Sequence, residues 1–381
     1  MLIGVATETA EGERRVALTP ETARKLKAGG HTIRLQRGAG VAAQLTDAAF
    51  EAVGVDLTDA AGALSCEAVL KVRAPSPSEI AHMKRGTTVI GMLDPFDRDG
   101  LGRLADAGLT AYALEAAPRT SRAQSLDVLS SQANVAGYKA VLLAAHHYPR
   151  FFPMLMTAAG TVKAARVVVL GVGVAGLQAI ATAKRLGAVI EASDVRPGVK
   201  EQVESLGAKF IDVPYETPEE QEAAQGTGGY ARPMPPGWLA RQQVEVAKRV
   251  AGADVVITTA LIPGRTAPTL VTEDMVKAMR PGSVLVDLAA GKGPLRPDGG
   301  AGGNCTLTEA GAVVVRHGVT LVGETDLASR VAADASALYA RNVLDFLKLI
   351  VTPEGTLYQN LDDDIVAACL VTHAGEIRRK S

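Results

Sequence analysis

The chain has little cysteine, few aromatic residues and almost no net charge. Its three cysteines, Cys66, Cys305 and Cys369, stand far apart and form no Cys-x-x-Cys pair. That excludes a disulfide framework and fits a reducing compartment. Aromatics make up 4% of the residues and tryptophan occurs once, which leaves little material for a base-stacking nucleic-acid surface. The formal net charge is -1, so no global field favours nucleic acid, an anionic membrane surface or acidic substrates. The longest uncharged stretch, residues 167–183, carries three glycines and a glutamine. It falls short of the roughly 20 apolar residues that span a bilayer. The first residues show no basic stretch followed by a long apolar one, so neither a secretory signal nor direct membrane insertion is expected. The histidines (His31, His82, His146, His147, His317 and His373) show no triad or ligand spacing, so no metal site is expected.

In bulk the composition, 47% hydrophobic and 21% charged, is that of a globular protein. At roughly 100–200 residues per domain, the length implies two domains, each able to bury a full core. Residues 2–6 read as a short buried strand. Thr19-Pro20-Glu21 gives an N-cap and a proline at the first helical position, opening a helix that Gly29-Gly30 ends. Residues 31–36 alternate apolar and polar, and 68–72, 88–92 and 110–114 are further apolar runs. This opening stretch reads as a parallel α/β sheet. Residues 130–147 form a long helix that crosses between domains. A strand at 166–170, a helix at 175–186 and strands at 189–193, 254–259 and 283–287 continue the rhythm. A second long helix at 328–349 returns the chain. The expected fold class is therefore α/β, with two Rossmann-like parallel-sheet domains, an interdomain cleft and long crossing helices. The first domain takes residues 1–129 plus 329–381, the second 130–328. Two Gly- and Pro-rich stretches, 214–238 and 290–304, read as long loops.

The chemistry concentrates at Gly171-Val172-Gly173-Val174-Ala175-Gly176. A G-x-G-x-x-G is weak evidence alone, but this one follows an apolar strand and opens a helix. Gly171 permits the tight turn, Gly173 lets backbone approach a pyrophosphate, and Gly176 lets helix and strand pack closely. From Val174 the helix N-terminus offers N–H groups and a positive dipole end to phosphates. Asp194 lies 18 residues after Gly176, at the end of the next strand. Its carboxylate would accept the adenosine ribose hydroxyls and repel a 2′-phosphate, favouring NAD(H). Arg196, two residues on, offers the opposing reading of a grip on such a phosphate; the acid outweighs it. Polar residues at 119–130 allow two readings, a donor and acceptor set for a ligand or caps for the helix at 130.

These residues and their surroundings resemble the NAD(H)-binding component, domain I of the alpha subunit, of proton-translocating NAD(P) transhydrogenase. The resemblance covers nearly the whole chain. It is most specific at 119–132 (RTSRAQSLDVLSSQ), 156–161 (MTAAGT), 171–188 (GVGVAGLQAIATAKRLGA), 258–264 (TTALIPG) and 329–336 (SRVAADAS). Alanine dehydrogenase is similar in fold and shares Arg15-Val16-Ala17-Leu18-Thr19-Pro20. The resemblance implies that Arg119, Gln124, Asp127 and Ser130 serve hydride transfer, with Asp127 orienting Arg119 or Gln124. It implies that Thr120, Ser121, Val195, Ala260 and Leu261 join Gly171, Gly173, Val174, Gly176, Asp194 and Arg196 in binding the nucleotide. It also implies that 214–238 is a loop closing on the nucleotide, with Gly228-Gly229-Tyr230-Ala231 at its core, Tyr230 packing on the nucleotide and hinges at Gly226, Gly228 and Gly229.

The same resemblance implies partners. These are an NADP(H)-binding subunit, membrane-embedded proton-channel subunits and a second copy of the chain as a homodimer. The expected location is cytoplasmic, docked on the membrane complex. Hydride transfer between two nicotinamides needs proximity and orientation but no protein acid; a substrate dehydrogenase needs a general acid or base. Alanine dehydrogenase-like enzymes use a lysine, a histidine and an aspartate. Lys71 fits the lysine, but Met92 stands for the histidine, and Ala290-Gly291 follow Asp287 where the aspartate is expected. A stand-alone amino-acid dehydrogenase and an NAD-sensing module remain the competing readings. One departure is an insertion near 292–301, ahead of Gly302-Gly303-Asn304-Cys305.

Overall fold

The computed structural model describes residues 1–225, 234–296 and 299–379. They form two compact units, Met1–Gln132 with Ala328–Ser381, and Ala133–Leu327.

The first unit is built on one sheet. Its strands are β1 (Leu2–Val5), β2 (Thr32–Gln36), β3 (Asp56–Thr58), β4 (Ala68–Arg73), β5 (Thr88–Met92) and β6 (Thr110–Ala113), joined after the return of the chain by β16 (Leu370–His373) and β17 (Glu376–Ile377). The order is β17-β16-β6-β5-β4-β1-β2-β3. The six N-terminal strands run parallel, while β16 pairs antiparallel with β6 and β17 with β16. Local chemistry sets the punctuation. Thr19 caps the helix Pro20–Ala28 in a reciprocal box with Thr22, with Pro20 in the first turn. The return helix, expected from 328, opens with a 3-10 turn at Ala328–Val331 before the α-helix Ala332–Ile350. Ser329 and Ser336 hold the N-terminal loop. Ser329 accepts from Arg14 N–H at 2.7 Å and donates to the Gly12 carbonyl at 2.8 Å, and Ser336 accepts from Val16 N–H at 3.0 Å.

The second unit holds β9 (Arg166–Leu170), β10 (Val189–Ser193), β11 (Lys209–Phe210), β12 (Val255–Thr258), β13 (Val284–Asp287), β14 (Val313–Arg316) and β15 (Val319–Val322), in the order β11-β10-β9-β12-β13-β15-β14. All pairs are parallel except β14 with β15. β12 and β13 are buried along their whole length, as expected of a parallel sheet covered on both faces. A separate two-stranded hairpin, β7 (Leu155–Thr157) with β8 (Gly160–Val162), is exposed throughout. All three cysteines are free and buried.

One charged group sits inside the first sheet. Lys71, in the middle of β4, has no exposed surface. Its Nζ lies 2.6 Å from Glu79 and 3.1 Å from Glu8. Glu8 also accepts from Val72 N–H at 2.7 Å, and Tyr339 donates its hydroxyl to the Lys71 carbonyl at 2.7 Å. Beside them Arg15, 2% exposed, donates twice to Glu13 at 2.6 and 2.7 Å and once to Gln132 at 2.8 Å. Burial pushes the Glu8 carboxyl up against the pull of Lys71. At Glu79 burial acts the same way, but Lys71, the Ser76 N–H and the Thr9 hydroxyl together outweigh it and the carboxyl sits low.

Removing one partner of a buried pair leaves uncompensated charge, at a cost of about 3–5 kcal/mol. Lys71→Met should therefore lower stability by that order in urea denaturation. A loss below about 1 kcal/mol, the scale of an exposed pair, would show that the cluster is not the buried unit described.

Candidate functional site

The register of the second sheet lines up four strand ends. Ser193 of β10 stands beside Leu170 of β9, Leu170 beside Thr258 of β12, and Thr258 beside Asp287 of β13. Asp194, Gly171 and Thr259 therefore leave the sheet side by side. The chain runs from β9 outward to β10 and β11, then restarts at β12 on the other flank of β9. In open parallel sheets, ligands bind at the carboxyl ends of the strands at such a switch point.

The loop after β9 is shaped by contacts a side chain would break. Gly171 has φ +92°, and a Cβ there would come within 2.8 Å of the Thr259 hydroxyl and 3.0 Å of Ala260 N. Thr259 donates its hydroxyl to the Gly171 carbonyl at 2.7 Å. A Cβ at Gly176 would lie 2.1 Å from the Gly171 carbonyl oxygen, so the helix Val174–Arg185 rests on the loop backbone to backbone. Gly173 is the N-cap, no side chain caps the helix, and a Cβ at Gly173 would meet nothing within 4 Å. The space beside Gly173 at the helix start is thus open, which fits a pyrophosphate approaching the first-turn N–H groups.

Asp194 stands at the neighbouring strand end with 7% of its side chain exposed. It accepts from Val172 N–H at 2.7 Å, tying it to the glycine loop. Arg196 is turned onto it, donating from Nε and Nη2, each at 2.9 Å, and from its own N–H at 2.9 Å. Val195 packs beside Tyr215, whose hydroxyl donates to the Val195 carbonyl at 3.3 Å.

The described parts of 214–238, residues 214–225 and 234–238, are more ordered than their composition suggests. Residues Pro218–Gln225 are helical and Trp238 belongs to the helix Pro236–Ala251. Prolines at both helix starts are compatible with the first turn. Trp238 is buried, stacks on Tyr215 with ring centroids 5.8 Å apart and donates to the Val213 carbonyl at 3.3 Å. Val213, Ala224 and Met234 complete this small core. Gly226, Gly228, Gly229 and Tyr230 lie outside the described residues. The signal for Tyr215 and Trp238 was in the sequence: aromatic residues flank a stretch dominated by Pro, Gly, Ala, Gln and Glu.

In the first unit, Arg119, Thr120, Ser121 and Gln124 are exposed, on and just before the 3-10 helix Ser121–Leu126. Asp127 accepts from Ser130 twice, from its N–H at 2.9 Å and its hydroxyl at 2.6 Å. This is N-cap geometry for the helix Val128–His147. Both carboxylate oxygens of Asp127 thus bind Ser130, and each keeps a lone pair for a second donor. Two residues missed from sequence hold this segment. Asn342 of the return helix donates to the Ser125 carbonyl at 2.7 Å and accepts from the Ser131 hydroxyl at 2.7 Å. Arg122 binds Asp363 at 2.6 and 2.9 Å and also reaches Asp364. Asp363 caps the helix Asp364–Cys369, and the Arg122 guanidinium holds its carboxyl down to about 2.

The family profile for the alanine dehydrogenase/PNT N-terminal domain matches residues 4–136, and that for its C-terminal domain matches residues 140–380. The chain belongs to the alanine dehydrogenase/PNT family. It is 49% identical to an NAD(P) transhydrogenase subunit alpha chain of Rhodospirillum rubrum, over 99% of this chain and 97% of that protein. The solved transhydrogenase from Sinorhizobium meliloti is 44% identical, with a TM-score of 0.84 over 99% of this chain and 98% of that one. Alanine dehydrogenase of Bacillus subtilis is 31% identical over 77% of this chain and 71% of that one. Within the family the chain is thus of the transhydrogenase alpha-subunit type, as its motifs implied, and its two parallel-sheet units match that fold.

The Asp363 carboxyl, titrating below its unfolded value, contributes stability that is complete above about pH 4 and is lost as pH falls through about 2. In Arg122→Ala its titration, followed by carboxyl-carbon NMR, should return toward about 4. An unchanged titration would show that Arg122 does not hold it.

Proposed function

We propose that the chain binds NAD(H) on the loop 171–176 and takes part in direct hydride transfer between NADH and NADP+. The NADP+ is held on a separate subunit, and the transfer is coupled to proton translocation through membrane-embedded partner subunits. Two observations carry this reading: a dinucleotide platform in the second unit and, in the first, a lysine already spent. Lys71 lies buried between Glu8 and Glu79. Met92 and Ala290-Gly291 stand where an alanine dehydrogenase-like enzyme is expected to carry its other two catalytic groups. What remains is binding and orientation, which suffice for transfer between two nicotinamides.

The hydride chemistry belongs to the nicotinamide; the chain binds, orients and excludes water. The first-turn N–H groups from Val174 take the pyrophosphate, with Gly173 leaving the approach open. Asp194 takes the adenosine ribose hydroxyls. Arg196, chelated by Asp194, serves as its counter-ion rather than as a grip for a 2′-phosphate. Val195, Ala260 and Leu261 line the nucleotide, and Gly229 and Tyr230 are assigned to covering it. Thr120 and Ser121 bind, and Arg119, Gln124, Asp127 and Ser130 serve the reacting end; Asp127 acts there by fixing Ser130. The chain works on the cytoplasmic side, docked on a membrane complex. Among the described residues no helix is long and apolar enough to cross a membrane.

We assign the hairpin of β7 and β8 to a homodimer contact. An isolated two-stranded hairpin is marginal in water, and this one and its approach expose Phe151, Met154, Leu155, Met156 and Val162, with Met156 at 71%. Contiguous apolar surface of this kind marks an interface.

Two measurements test these readings. Titration of the purified chain with NADH should quench the single tryptophan, Trp238, with NADPH binding far more weakly. Hydride transfer should require an added NADP(H)-binding subunit. Preference for NADPH, or oxidation of NADH by pyruvate and ammonia with the chain alone, would overturn the assignment. Separately, sedimentation should show a dimer that Met154→Glu with Met156→Glu converts to monomer; a monomeric wild-type chain would dismiss the hairpin contact.

A further inference from the structure

The row of strand ends Ser193, Leu170 and Thr258, one residue short of Asp194, Gly171 and Thr259, has Asp287 as its fourth member. Asp287, at the end of β13, has no exposed surface and accepts four hydrogen bonds. They come from the Thr258 hydroxyl at 3.1 Å, Ala289 N–H at 3.0 Å, Asn304 N–H at 2.8 Å and Cys305 N–H at 3.0 Å. One carboxylate therefore ties the ends of β12 and β13 to residues 17 and 18 positions further along. Burial pushes its carboxyl up, and these donors pull against that.

Asn304, also without exposed surface, passes the connection on. Its Oδ1 accepts from Ala260 N–H at 3.0 Å, and its Nδ2 donates to the carbonyls of Ala260 and Pro268, each at 2.8 Å. Its own carbonyl accepts from Leu270 and Val271 N–H at 2.8 and 2.9 Å. The side-chain amide thus meets Ala260 as a second peptide would, gripping both its N–H and its C=O. Ala260, with Thr259, in turn forms the backbone against which the turn at Gly171 is packed.

We infer that Asn304, held by Asp287, is a positioning residue for one half of the bound dinucleotide. The inference rests on the NAD(H) reading above. Strand order supplies the direction. With the adenosine at Asp194 beyond β10 and the pyrophosphate at the loop beyond β9, the nicotinamide half extends over the next strand end, that of β12. That end is Thr259-Ala260-Leu261, the backbone Asn304 clasps. Because Ala260 N–H and C=O are both engaged by Asn304, Ala260 meets the nucleotide through its contact surface, and Asn304 sets where that surface lies. A buried amide deprived of its partners costs more than a lost contact, so the clasp leaves this edge little freedom to drift.

The test uses two ligands of the full chain. NADH spans all three strand ends; 5′-AMP spans only those of β10 and β9. Asn304→Ala should weaken NADH binding tenfold or more while changing the 5′-AMP dissociation constant less than twofold. Thr258→Val, which keeps its volume and removes only a hydroxyl given to Asp287, should show the same split in smaller measure and serves if Asn304→Ala folds poorly. Equal losses for both ligands, or none for either, would overturn the positioning role. A wild-type chain that binds 5′-AMP and not NADH, or neither, would instead overturn the NAD(H) reading on which it rests.

Discussion

The constraint on which the second unit depends is a register. Ser193, Leu170, Thr258 and Asp287 stand in one row across four parallel strands. A slip of one residue in any strand would turn its buried side chains to the opposite face. It would also carry Asp194, Gly171 or Thr259 out of line with the others. The row is fixed by apolar burial rather than by the site. Val167, Val169, Val255, Ile257, Val284 and Val286 share one core, and Val168, Val256 and Leu285 another. Stability and site geometry are thus set by the same residues, and the polar groups that end the strands inherit positions that packing has already decided.

The first unit shows how a sheet core tolerates charge. Lys71 in β4 would be prohibitive alone. Glu8 and Glu79 come from a loop and a short helix N-terminus and close over it, while backbone N–H groups and Thr9 occupy further lone pairs of the same carboxylates. Such a cluster adds little net stability over an apolar core, but its loss is costly. It also ties the N-terminal loop, β4 and the return helix together, since Tyr339 and Ser336 bond into the same region.

Much of this was legible in the sequence because parallel strands buried on both faces leave near-continuous β-branched runs. VVVL at 167–170, VVIT at 255–258 and VLVD at 284–287 are such runs. The glycine loop and Asp194 were legible because each position demands one residue type at one spacing. The antiparallel additions were not: β16 is four residues and its pairing with β6 joins positions some 260 residues apart. Nor was the hydrogen bonding of Asp127 to Ser130, since a carboxylate three residues ahead of a serine can serve a ligand-binding residue as well as a helix cap. Composition misled at 214–238, where proline and glycine suggested an open loop. There a single tryptophan found enough apolar surface in Val213, Ala224 and Met234 to organise its base. The clasp of Asn304 on Ala260 spans 44 residues and obeys no spacing rule.

The stretch 292–301, which the sequence resemblance reads as an insertion, is tied off at its base. Gly291 N–H bonds the Gly302 carbonyl at 2.7 Å, and Asp287 grips Asn304 just beyond. The entropy of closing this excursion is therefore met at the neck, independently of what hangs from it. Lengthening a loop whose ends are already fixed costs only about 0.6 kcal/mol per doubling. Chain length here is thus nearly decoupled from the position of Asn304, so residues could be added or removed beyond this neck while the strand ends stay in register.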